Sequence, residues 1–153
     1  MKKGVLLMCL VFAGFVLTMA RPAHAGSYLD RSTMIVEGAR RDATSLRAHL
    51  TDKELALVVL AVARARYDAA EKMDVPPLVA KAHPHLLLFL AHIEKAADAA
   101  TSGNYKNAVL ELDGARVEES LFRGMLKETG YPLPAAPKAH AGLKLVAPRL
   151  ATP

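Results

Sequence analysis

Between Tyr28 and Gly130 the apolar residues recur every three to four positions in four stretches, each closed by a turn signal, and that period specifies helices. No stretch sustains the period-two alternation, rich in β-branched residues, that a strand requires. Over residues 28–49 the apolar set is Ile35, Ala39, Ala43, Leu46 and Leu50, with Arg40, Arg41, Asp42 and Arg47 on the other side. Thr51 followed three residues later by Glu54 reads as a capping box. It opens a second helix with a stripe of Leu55, Val58, Val62, Ala65, Ala69 and Met73, which Val75-Pro76-Pro77 stops. A brief turn at 77–82 leads into a third helix, residues 84–100, with Leu86, Leu90, Ile93 and Ala97 inward and His83 at the break as its cap. Ser102-Gly103-Asn104 forms the next turn, and the fourth helix carries Tyr105, Ala108, Val109, Leu112, Ala115, Phe122 and Leu126 before Gly130 ends it. Helices of about 17 to 26 residues joined by short turns predict an all-α, antiparallel up-down four-helix bundle.

The two ends have other characters. Met1 to Lys3 are positive at the start, residues 4–20 are apolar apart from Thr18, and Ala23-His24-Ala25 has the small-x-small pattern of a signal-peptidase site. Residues 1–25 are expected to be a cleaved export signal and Gly26 the mature start; retained, the 17-residue apolar run would approach the roughly 20 residues of a membrane anchor. Cys9 leaves with the signal, so the exported chain has no disulfide, thiolate ligand, cysteine nucleophile or covalent haem attachment. Residues 26–130 are expected to form the bundle, and residues 131–153, with five of the nine prolines and no acid, a flexible basic tail. The expected location is the periplasm or the exterior.

Charge narrows the function. The chain is +5, but Lys2, Lys3 and Arg21 lie in the signal and Lys138, Lys144 and Arg149 in the tail, so the bundle holds 14 bases against 15 acids. A balanced surface without Trp, and with only Phe89 and Phe122 as Phe after the signal, excludes a nucleic-acid binder. Catalytic signatures are missing too: the sequence contains no Gly-x-Ser-x-Gly, no His-Glu-x-x-His, no phosphate-binding glycine loop and no calcium loop. Glu118 and Glu119 diverge by about 100° on a helix, so they read as a solvated face.

One constellation suggests a cofactor. With the helices laid antiparallel at about 1.5 Å per residue, Met34, Met73 and Met125 share one half of the bundle with His83, His85 and His92. His49 lies at the other end and His140 in the tail. Imidazole and thioether ligate haem iron and copper, so His92 with Met34 or Met125 is the candidate cofactor pair and His83, His85 and His92 the candidate metal set. The size and export signal resemble the small periplasmic cytochrome bundles that ligate haem with a first-helix methionine and a last-helix histidine. The fourth helix here has no histidine, so the resemblance stops at architecture. The competing reading is that methionines fill core gaps and no cofactor is bound.

A second feature concerns partners. Residues 55–63 are nine apolar residues in a row and residues 86–91 are six, more than a monomeric bundle must bury on those helices. The leading expectation is therefore an exported, non-catalytic accessory or interaction protein. It would bind a protein partner in the cell envelope, or itself, through helices two and three, with no transmembrane span after signal cleavage. A small haem- or copper-binding bundle is the alternative.

Overall fold

A computed structural model describes residues 22–134, with side chains from Ser27 onward. The described chain is all-helical: α1 (Pro22–Ala48), α2 (Lys53–Glu71), α3 (His83–Thr101) and α4 (Tyr105–Glu128), with one 3-10 turn at Pro77–Val79. The signal segment before Pro22 and the tail beyond Pro134 lie outside the described residues.

Cross-helix pairs fix the direction of each neighbour. Moving from Glu37 to Arg47 on α1 moves the partner from Arg123 back to Asp113 on α4, the same ten residues in the opposite sense. From His85 to His92 on α3, the partner runs from Glu118 back to Glu111 on α4. Asp42 of α1 pairs with Arg66 of α2, and Arg64 of α2 with Glu94 of α3, at 2.8 Å. The result is an antiparallel four-helix bundle in which α3 packs intimately against α2 and α4, while α1 closes the remaining side.

The core accounts for the seams. Leu86, Phe89, Leu90 and Ile93 of α3 meet Leu112, Phe122 and Leu126 of α4, while Val36, Ala39 and Leu46 enter from α1. The α3 stripe is the expected one, and so is that of α4 apart from Tyr105 and Val109, which are half-buried. On α1, Tyr28, Ser32 and Val36 are buried beside Ala39 and Leu46, whereas Ile35 and Ala43, and Leu50 in the turn that follows, are half-buried.

The α2 stripe differs from expectation. Ala56, Val59, Leu60, Ala63 and Ala70 face inward, whereas Val58, Ala65 and Ala69 are exposed. A nine-residue apolar run fits any rotational phase, and the tertiary contacts choose among them. The small buried side chains of Ala56, Ala63 and Ala70 go with the close packing of α2 on α3.

Caps were legible to within one residue. The α2 cap is Asp52, not Thr51: its carboxylate accepts from the Leu55 amide at 3.0 Å. Residue His83 is already helical and its side chain caps nothing; Ala82 precedes it without a side-chain cap. Asn104 caps α4 by accepting from the Asn107 amide. Gly103 and Gly130 end α3 and α4 with φ near +76° and +82°, and the following amides return to Ala99 and Leu126. Beyond Gly130 the chain stays on the bundle as far as Pro134. Leu133 packs on the core and the Pro134 carbonyl accepts from Arg123 at 3.0 Å, so the first tail residues are held.

Candidate functional site

The histidines singled out by the sequence occupy three separate places. His83 is buried at the start of α3, where its Nδ1 shares a 3.1 Å hydrogen bond with the Tyr28 hydroxyl of α1. Burial pushes the Tyr28 phenol up to about 12 and holds the His83 imidazole below its ordinary value, because each charged form would lose water without gaining a counter-ion. Met73, also buried, lines a small cleft with Ser27, Tyr28, Arg31 and Asp74 at this end of the bundle.

His85 and His92 lie on the α3–α4 seam. Each donates from Nδ1 to a carboxylate of α4, Glu118 or Glu111, at 2.7 Å. A carboxylate facing Nδ1 requires that nitrogen to carry a proton and holds the ring in one orientation. The two imidazoles are seven residues apart, about 10.5 Å along the axis, so they cannot share one ion. The same pairs correct the reading of Glu118 and Glu119 as a solvated face: both are half-buried, Glu118 on His85 and Glu119 on Arg123. Their divergence around the helix is what sends one toward α3 and the other toward α1.

Met34 is 76% exposed on the outside of α1 and Met125 is half-buried against the core. Among the described residues no three His, Cys, Asp or Glu side chains gather as a metal site.

Sequence reasoning missed the ionic clamp between α1 and α4. Arg123 reaches Glu37 at 2.7 Å and Glu119 at 2.8 Å, and Glu37 also accepts from Arg40 at 2.6 Å. Burial pushes the Glu37 carboxyl up, but hydrogen bonds and charge from Arg123 and Arg40 outweigh it and hold the carboxyl below the usual range. A slot of about 30 Å³ lies beside the clamp, bordered by Arg40, Thr44, Arg47 and Arg116 with Phe89 beneath. It has room for a water, not for an organic substrate. Arg40 Nε is the buried side-chain nitrogen that lacks a partner there. The seven-residue His85/His92 spacing matched by Glu111/Glu118 was visible in the sequence; the clamp, between residues 86 apart, had no local signal.

An open cleft of about 270 Å³ lies between α3 and the start of α4, bordered by Lys95, Asp98, Asn104, Asn107 and Glu111, and the rest is surface. Leu57 and Val58 on α2, Leu88 on α3 and Leu110, Val117 and Leu121 on α4 are large apolar side chains turned to the outside. No helix among the described residues is long and apolar enough to cross a membrane. No family model matches this chain, and neither a curated protein nor a solved structure matches it.

Proposed function

We propose that this protein is an exported helical bundle that works by binding a protein partner in the cell envelope rather than by catalysis, using the outward faces of α2 and α3. The observation that carries this reading is that α2 is apolar on both sides. Its inner side fills the core, yet Leu57 and Val58 stand 56% and 60% exposed, with Ala61, Ala65 and Ala69 beside them in water. A contiguous apolar face on a small soluble-type bundle marks an interaction surface. The His–Glu pairs tie α3 to α4 and the arginine-lined slot admits only a water, so neither feature supports turnover.

Two measurements test this. Mass spectrometry of the chain recovered from its host envelope is expected to give a mature start at Gly26; an intact signal would replace the exported form by an anchored one. Val58→Glu is expected to leave the helical content unchanged while abolishing association with any partner that the wild type retains; unchanged association would overturn the α2 surface. The haem or copper reading needs Met34 to turn inward, or His92 to work with Met125. One equivalent of iron or copper in the purified protein, lost in His92→Ala, would put it ahead.

A further inference from the structure

We infer that the occupant of the α2 face is a second copy of this chain, paired antiparallel across a two-fold axis; this rests on the binding role proposed for that face. The outer stripe of α2 runs Glu54, Val58, Ala61, Ala65 and Asp68 and continues to Lys72, the residue that caps its C-terminus, spaced alternately four and three, which is the repeat of a coiled-coil seam. All six are exposed. The stripe begins on an acid and ends on a base, so an antiparallel copy sets Glu54 against the partner's Lys72 at one end and repeats the pair at the other. At the centre Ala61 meets the partner's Ala65 and the reverse, and two small side chains let the backbones approach closely.

The flanks agree with the stripe. In this register Leu57 lies beside the partner's Glu71, Leu55 beside the partner's Ala69, and Val62 beside the partner's Val62, so apolar surface on both edges is covered. The one like-charge meeting, Arg64 with the partner's Arg64, falls near the axis, where each guanidinium is already held by its own Glu94 at 2.8 Å. The weakest layer is Val58 against the partner's Asp68.

A single-helix seam is small beside the roughly 1,200 Å² of a stable interface, so the dimer forms in a concentration-dependent way.

The test is sedimentation equilibrium of the processed protein purified from its envelope, with far-UV circular dichroism confirming the fold of each variant. A monomer–dimer equilibrium is expected. Ala61→Glu places two like charges at the centre and is expected to weaken it by more than about a hundredfold. Glu54→Lys or Lys72→Glu alone should weaken it about tenfold, and the double swap should recover most of that loss. Asp68→Leu should tighten it. A dimer indifferent to Ala61→Glu, or a double swap no better than the single ones, overturns pairing through α2. A wild type that stays monomeric overturns it as well, and Val58→Glu then decides the broader reading: lost association with another envelope protein retains the binding role, while unchanged behaviour removes both.

Discussion

His83 shows how one buried side chain sets a pH response. Its folded pKa lies below the ordinary 6.5, so the unfolded chain takes up the proton first as pH falls. The stability tied to this group is complete above about 6.5 and declines as pH drops below it toward the folded value. Thermal unfolding of the wild type between pH 7 and pH 5 is expected to show this decline, and His83→Gln to flatten it; an equal slope in both would remove His83 as the cause. Tyr28 works in the other direction. With its phenol raised to about 12, the associated stability is present below the ordinary 10 and is lost as pH rises from there. The sequence offered His83 as a ligand or a cap. It gave no hint of the hydroxyl from α1, because Tyr28 and His83 are 55 residues apart and meet only when the bundle closes.

At the scale of the helix, two glycines inside α4 behave oppositely. A Cβ at Gly124 would meet nothing within 4 Å, and its φ is an ordinary one, so Gly124→Ala is expected to stabilise the protein by about 0.5–1 kcal/mol through helix propensity. At Gly114 a Cβ would fall 2.9 Å from the His92 ring, which the Glu111 carboxylate holds in place. Gly114→Ala is therefore expected to destabilise, and chemical denaturation of the pair of variants checks the sign of both. Removing the α2 cap with Asp52→Ala should cost about 1 kcal/mol, whereas Thr51→Ala should cost far less. Which of two adjacent cap-forming residues closes a helix depends on where the chain enters it, and a turn of four residues leaves that to the packing of α1 against α2.

Across the whole molecule α1 is fastened by polar ties: Tyr28 to α3, Asp42 to α2, and Glu37 and Arg47 to α4. Arg123 is the centre of this fastening, since it serves Glu37, Glu119 and the Pro134 carbonyl together. Arg123→Ala leaves two half-buried carboxylates without their main partner and is expected to cost about 1–2 kcal/mol, between the values for exposed and buried pairs. Because the folded Glu37 pKa is below 4.5, the stability it supplies is present above 4.5 and is lost as pH falls through the folded value. Denaturation near pH 3 should therefore show a smaller difference between Arg123→Ala and the wild type than denaturation at pH 7.

Periodicity, turn residues and the lack of period-two alternation determined the helix count, the class and the approximate ends, because each follows from contacts within a few residues. The inward stripe of α3 and most of that of α4 were legible for the same reason: polar residues interrupt the apolar ones and leave one phase. The phase of α2 was not, since nine apolar residues in succession satisfy every phase, and only the packing of α2 against α3 selected the one that buries Ala56, Ala63 and Ala70. The tertiary structure likewise decided that Met34 points outward, that Glu118 and Glu119 are engaged rather than solvated, and that Arg123 joins α4 to α1. These outcomes depend on which helix stands opposite which, and at what height, and such distances are set by the packed bundle as a whole.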